Sequence, residues 1–203
     1  MTKASSRVAA SPAQSRASSS RLWWFAILGG GAVVTVVIIL ILLSPPAPVG
    51  MLDGMLSFNN LSRAHSEAPQ QYAQTPPAGG VHSAVWQNCG IYDQPVHNEN
   101  AVHSLEHGAV WLAYRPDLPA AAVETLRGLA RGHDHVLLTP YPDLPHAVVA
   151  TAWGLQLPVE EASDPRLPVF VSRYEKGPQT PEPGAVCTGG TGTPIANYRA
   201  LHD

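Results

Sequence analysis

The chain has 203 residues, with 12 basic and 15 acidic side chains and nine histidines, and its formal net charge is −3 at pH 7. The first 21 residues hold four of the basic side chains and none of the acidic ones, so the rest of the chain is acidic overall. An acidic surface repels phosphate backbones, and we therefore expect no nucleic acid partner.

The N-terminal part predicts a basic arm followed by a membrane anchor. Residues 1–21 contain seven serines and no acid, a composition typical of a disordered segment. Residues 22–43 carry no charge and would span about 33 Å as a helix, enough to cross a bilayer core. A cleaved signal peptide is the alternative, but its apolar region would be shorter, and Ser44-Pro45-Pro46 stands where the cleavage site should be. We predict an uncleaved single-pass transmembrane helix at 22–43.

The charge distribution predicts the orientation of this helix. The basic arm at 1–21 is expected to stay in the cytoplasm, which places residues 44–203 on the other side of the plasma membrane. Gly29, Gly30 and Gly31 can let two such helices pack closely, which is a route to a homodimer through the anchor. The sequence identifies no other protein partner.

The part after the anchor divides into a linker at 44–57, a domain at 58–190 and a C-terminal tail at 191–203. Cys89 and Cys187 are the only cysteines of the chain. Because an extracytoplasmic space is oxidising, we predict that they form a disulfide. The alternative is that the two thiols bind copper or zinc together with histidines.

Residues 58–100 are rich in turn-forming residues and predict an irregular half. The second half is more regular, and its apolar patterns predict, in chain order, a helix at 101–107 capped by Asn98 or Asn100, a strand at 109–114, a helix at 119–131, strands at 135–139 and 147–153, and a helix at 165–174. A β-α-β-β-α order predicts an α+β fold, with a small mixed sheet and helices on one face. Strand 109–114, helix 119–131 and strand 135–139 are expected to form one parallel crossover.

The stretch from His103 to His107 is an H-x-x-E-H motif and is the strongest chemical signal of the chain. On a helix, His103 and His107 share one face and can bind one metal ion. The motif is also the signature of the inverzincin zinc peptidases, in which Glu106 would be the catalytic base and Glu175 a candidate further ligand. However, Gly108 limits this helix to about two turns, which disfavours the peptidase interpretation. The third interpretation is that the histidines are structural.

The residues around the motif suggest the remaining ligands. His82 follows a Gly79-Gly80 turn that can hold its ring in place, so we predict it as the third ligand. His65 or Glu106 is predicted as the fourth, although Glu106 can instead orient a ring through its N–H. Imidazole ligands suit copper and zinc. The leading hypothesis is therefore a transition-metal-binding domain; the alternatives are an envelope interaction module without metal and a small metal-dependent hydrolase.

Five stretches of the chain carry a resemblance to a known family. They are TPPAGGVH at 75–82, VWQNCGIY at 85–92, ENAVHSLEHGAV at 99–110, ATAWG at 150–154 and QTPEPG at 179–184. On these stretches the chain resembles the DUF3105 family, bacterial proteins that share a domain of unknown function, and its cysteine-bearing form resembles the actinobacterial branch. The resemblance implies a membrane-anchored extracytoplasmic domain and implies no particular activity.

Overall fold

Within residues 52–196, the part that the computed structural model describes, the chain forms six strands and three helices. The strands are β1 (Leu56–Ser57), β2 (Gly90–Ile91), β3 (Val110–Tyr114), β4 (Val136–Pro140), β5 (Val148–Ala152) and β6 (Leu155–Val159). The helices are α1 (Asn98–Glu106), α2 (Ala120–Ala130) and α3 (Arg166–Tyr174). The predicted arm at 1–21 and transmembrane helix at 22–43 lie outside the described residues. Among residues 52–196, no helix combines the length and apolar character that crossing a bilayer requires.

The strands form one mixed sheet in the order β1-β6-β5-β3-β4-β2, which confirms the predicted α+β class. β3 pairs in parallel with β4, with Val110 opposite Val136, and the intervening α2 makes the predicted crossover. On its other side, β3 pairs antiparallel with β5. Leu56 and Ser57, which the sequence assigned to the linker, pair with β6 and form one edge of the sheet.

Strand β6 was not predicted, because Pro158 interrupts its apolar pattern. A proline has no N–H to donate, so it weakens the prediction of a paired strand. In the structure, β1 pairs only with Leu155 and Gln156 of β6. Pro158 lies beyond these pairs and stands opposite Val149 of β5.

The sheet is covered on both faces, and the prediction that all helices lie on one face is wrong. Alternate residues of the strands face opposite ways, so Leu112 and Leu138 pack with the apolar sides of α2 and α3. Their neighbours Trp111 and Leu137 face the other way and pack with an apolar stripe of α1 that consists of Ala101, Val102 and Leu105. Because both faces are covered, every residue of β3, β4 and β5 is buried.

The N-terminal cap of α1 also differs from the prediction. Asn98 and Asn100 both lie inside the helix, and His97 occupies the cap position without a side-chain hydrogen bond. The amide of Asn100 instead donates to the carbonyl of Val85 at 2.6 Å. Asn100 therefore attaches the irregular half of the chain to α1.

A disulfide between Cys89 and Cys187 confirms the predicted pairing, and no cysteine remains free to bind a metal. Their Cα atoms are 5.3 Å apart, within the usual range for such a bond. The backbone N–H of Cys89 also donates to the carbonyl of Cys187 at 2.8 Å. The bond therefore fastens the C-terminal part of the domain to the segment that precedes β2.

The length of the disulfide loop predicts a large effect on stability. The two cysteines are 98 residues apart, and closing a loop of that size is worth about 4–5 kcal/mol in the chain-entropy model. We expect Cys89→Ser/Cys187→Ser to lower the free energy of unfolding by an amount of that order in urea titrations. Reduced wild-type protein is the control, and it should unfold with the same midpoint as the double variant. An unchanged midpoint after reduction would contradict the prediction.

Candidate metal centre

Two histidines of the irregular half are brought side by side by a short parallel bridge. The N–H of His82 donates to the carbonyl of Ala64 at 3.1 Å, and the N–H of Ser66 donates to the carbonyl of His82 at 2.7 Å. His65 therefore lies next to His82 in this bridge. Their ring centroids are 4.8 Å apart. The ring of His82 is fully buried, whereas the side chain of His65 is 49% exposed.

The turn before His82 depends on glycine. Gly79 and Gly80 have φ values of 138° and 119°, a region that other residues rarely adopt. A Cβ added to Gly79 would lie 2.7 Å from Cδ1 of Leu61 and 3.2 Å from the Trp153 ring. This close turn directs the carbonyl of Gly80 back toward the His82 ring, which confirms the expected role of the turn.

The end of α1 supplies the other two histidines, and a later segment of the chain holds that end in place. The carbonyls at a helix C-terminus need partners from outside the helix. Here the hydroxyl of Thr180 donates to the carbonyls of Leu105 and Glu106, at 2.7 and 2.5 Å. The N–H of Glu182 donates to the Glu106 carbonyl at 3.0 Å. Residues 180–184 are therefore fixed against the H-x-x-E-H motif.

Three of the rings are oriented in the same manner. In each, Nδ1 lies 2.7 Å from a backbone carbonyl, which can only accept a hydrogen bond, so Nδ1 carries the proton. The pairs are His82 with Gly80, His103 with Ser83 and His107 with Val186. In a neutral ring of this tautomer, Nε2 has a free lone pair, and this is the usual arrangement of histidines that bind metals.

The Nε2 atoms of His103 and His107 face each other at 3.0 Å. Since both rings already carry their proton on Nδ1, two lone pairs meet at this distance unless a cation lies between them. The pKa of His103 is lowered to about 4, chiefly by burial; the Ser83 carbonyl acts in the opposite direction, and the neighbouring rings of His107, His82 and His65 add to the lowering. His103 is therefore neutral at pH 7.

Glu106 places a carboxylate among these rings. It is only 4% exposed, and its Oε2 lies 2.9 Å from Nε2 of His82 and 3.9 Å from Nε2 of His65. His65, His82, His103 and Glu106 each offer one ligand atom, and these four atoms lie within 4.8 Å of one another. Such a group has the composition and the spacing to hold a metal ion.

His107 is not one of these four, although the sequence placed it with them. Its Nε2 lies near that of His103 and is 3.7 Å from Oε2 of Glu182. Sequence reasoning missed Glu182. Glu182 lies two residues after Thr180, in a segment whose sequence has no helical or strand periodicity. Only the folding of this segment against α1 brings Glu182 to the end of the helix.

The match to a known family covers the whole of this cluster. Residues 64–189 match the family described as "Protein of unknown function (DUF3105)". The chain belongs to the DUF3105 family. The matched part includes His65, His82, Glu182 and both cysteines. Neither the curated proteins nor the solved structures include one that matches the chain. The DUF3105 match thus confirms the resemblance seen in the sequence, and any function has to be argued from the geometry.

Glu175, the further ligand of the peptidase interpretation, lies elsewhere in the DUF3105 domain. Its carboxylate contacts Nδ1 of His133 at 2.6 Å and the backbone N–H of His135 at 3.0 Å. With His135 and Asp134 it forms a second compact group of potential ligands. In that group, however, Nε2 of His135 is engaged with the carbonyl of Ala185, and Asp134 is paired with Lys176. We interpret this group as a structural link between α3, β4 and the C-terminal segment.

Two tryptophans form the apolar wall of the histidine cluster. The ring of Trp86 lies 5.7 Å from that of His103 and 5.1 Å from that of His107. The ring of Trp153 lies 5.9 Å from that of His82 on the other side. These rings pack against the imidazoles and limit their rotation. The exposed His65 marks the side from which an ion can enter.

The lowered pKa of His103 predicts how the stability of the metal-free domain depends on pH. Between pH 6.5 and 4, the unfolded chain protonates this histidine and the folded domain does not. The free energy of unfolding should therefore fall as pH decreases through this range. Urea titrations in the presence of a chelator measure the slope. His103→Gln should show a shallower slope than wild type, and equal slopes in the two proteins would contradict this assignment.

Proposed function

We propose that this domain binds a transition metal ion, copper or zinc, through its histidine cluster. The observation that carries the proposal is the 3.0 Å separation of Nε2 of His103 and Nε2 of His107, with both Nδ1 atoms hydrogen-bonded to carbonyls. Zinc–nitrogen bonds are about 2.0–2.1 Å long, so two nitrogens on one tetrahedral ion lie about 3.3 Å apart. The two rings are therefore close to the separation that a shared ion requires.

A proton between the two nitrogens is the competing explanation of this geometry. It would place a positive charge on a pair of buried rings, with two further imidazoles nearby. Burial opposes such a charge unless a partner compensates it. A metal ion makes stronger bonds to both lone pairs, and the carboxylates of Glu106, near His103, and of Glu182, near His107, lie close enough to balance its charge. The metal is therefore the better occupant.

The donor set supports copper or zinc among the divalent metals. Imidazole nitrogen suits both, whereas calcium and magnesium prefer sites built from oxygen. Each ring already has the hydrogen bond through Nδ1 that fixes its direction, as histidines in metal sites usually do. A preformed set of lone pairs means that little conformational entropy is lost when the ion binds.

The metal content of the purified protein tests this proposal. The full chain, produced without a histidine tag, should contain zinc or copper in at least stoichiometric amount. His103→Ala/His107→Ala should contain clearly less metal than wild type, because it removes both facing lone pairs. The matched control is His146→Ala, since His146 is exposed and pairs with Glu160 away from the cluster. Elemental analysis by mass spectrometry gives the measurement. Only trace metal in wild type would refute the proposal.

A second, conservative variant distinguishes loss of a ligand from loss of the fold. Glu106→Gln keeps the shape of the side chain and removes the negative charge. We expect it to retain the melting temperature of the metal-free wild type within a few degrees and to bind metal about 10–100-fold more weakly. If the histidines only stabilise an interaction module, the melting temperature of the double alanine variant falls by the same amount with and without chelator.

The structure favours no hydrolase, because Glu106 is buried against His82 and is not free to act as a base.

We propose further that residues 22–43 anchor the domain on the outer side of the plasma membrane. The proposal is supported by the 22 uncharged residues of this segment and by the basic arm before it. The disulfide supports it as well, because such bonds persist in oxidising compartments.

The anchor predicts where the protein is found in fractionated bacterial cells. It should remain in the membrane fraction after a carbonate wash, and protease added to cells with a permeable envelope should digest the domain. Val33→Arg/Val34→Arg should release it from the membrane, because each arginine at the centre of a bilayer costs about 2.5–3.5 kcal/mol on insertion scales. Recovery of the wild type in the soluble fraction would contradict the anchor.

A further inference from the structure

We infer that the cluster binds two metal ions, the first through His65, His82 and Glu106 and the second through His103, His107 and Glu182. The inference rests on the proposed function, because it assumes that the cluster binds metal. It adds Glu182 as a ligand and divides the histidines into two pairs.

The number of ligands is the first reason. Four imidazoles and two carboxylates meet in the cluster, whereas a structural zinc site takes four ligands. A neutral imidazole of this tautomer has a single lone pair and binds one ion only. Six donors therefore exceed what one tetrahedral ion can use.

The distances divide the six donors into two sets. In the first set, Oε2 of Glu106 is 2.9 Å from Nε2 of His82 and 3.9 Å from Nε2 of His65. In the second set, Nε2 of His107 is 3.0 Å from Nε2 of His103 and 3.7 Å from Oε2 of Glu182. His107 does not belong to the compact group of His65, His82, His103 and Glu106, whereas His103 lies both in this group and against His107. We assign His103 to the second set because its ring is 4.5 Å from that of His107 and 5.0 Å from those of His65 and His82. Each set thus has its own carboxylate and its own pair of rings.

The position of Glu182 is fixed by the backbone. Its N–H donates to the carbonyl of Glu106, and the N–H of Gly184 donates to the carbonyl of His107 at 3.1 Å. The segment that carries Glu182 is therefore held against the turn of α1 that carries His107. The side chain of Glu182 is 55% exposed, so an ion bound there keeps access to water.

Charge is the second reason. Two divalent ions in a buried cluster need negative ligands, and each of the two sets has one carboxylate. Two histidines and one glutamate are also a known donor set of zinc, which leaves one position of the ion open. In two-metal sites the ions lie about 3.5–4 Å apart.

The stoichiometry of binding tests the inference. The full chain, stripped of metal by a chelator, is titrated with zinc and the bound ions are counted after desalting. Wild type should bind two ions per chain and Glu182→Gln one. The matched control is Glu161→Gln, which replaces an exposed glutamate in the loop between β6 and α3 and should still bind two.

Copper gives an independent measurement. Two Cu(II) ions about 3.5–4 Å apart are magnetically coupled. Wild type with two equivalents of copper should therefore show a weakened and broadened paramagnetic resonance signal. Glu182→Gln with one bound ion should show the signal of an isolated Cu(II). One ion per wild-type chain would overturn the two-ion inference and leave the proposed function intact, whereas no bound ion would overturn both. Two ions in Glu182→Gln would overturn the assignment of Glu182.

Discussion

The histidine cluster depends on the hydrogen bonds that connect three imidazole Nδ1 atoms to backbone carbonyls. Each carbonyl belongs to a different part of the chain: Gly80 to a glycine turn, Ser83 to the loop after it, and Val186 to the C-terminal segment. A side-chain carboxylate in these places could move or take up a proton, but a backbone carbonyl can do neither. The tautomer of each ring is therefore set by the path of the chain, and any displacement of these segments changes where the Nε2 lone pairs point.

This dependence explains why a domain of this size carries a disulfide next to its site. Val186 precedes Cys187, and Cys89 follows the loop that carries His82 and Trp86. The bond therefore joins two of the segments that orient the rings. The C-terminal segment contains no helix or strand of more than one residue between α3 and Ala196. It is held by the disulfide, by its hydrogen bonds to the end of α1, and by backbone hydrogen bonds that join Ile195 and Ala196 to Ile91 of β2. Fold stability and ring orientation are coupled through the same contacts.

Sequence reasoning was most successful where the signal is local. The β3-α2-β4 unit follows from apolar runs and a helical stripe, and the pairing of His103 with His107 follows from helical spacing. The disulfide follows from two cysteines in a chain that has no others. Sequence reasoning failed where the outcome depends on packing between residues that are far apart in the chain. The stripe of Ala101, Val102 and Leu105 does not reveal which face of the sheet it will cover, and Glu182 reaches the cluster only because its segment caps α1.

Glu106 shows how context changes the meaning of a motif. In a longer helix, its carboxylate would extend into a cleft and could act as a base. Here α1 ends at Glu106, and Gly108, with φ of 99°, turns the chain directly into β3. A Cβ at Gly108 would lie 2.9 Å from the backbone of Lys176, so the turn leaves no room for a longer side chain. The early end of the helix directs the carboxylate inward, toward His82. A cation stabilises a buried carboxylate, and the metal ion that we propose would supply that charge, so the burial that argues against catalysis supports the proposal.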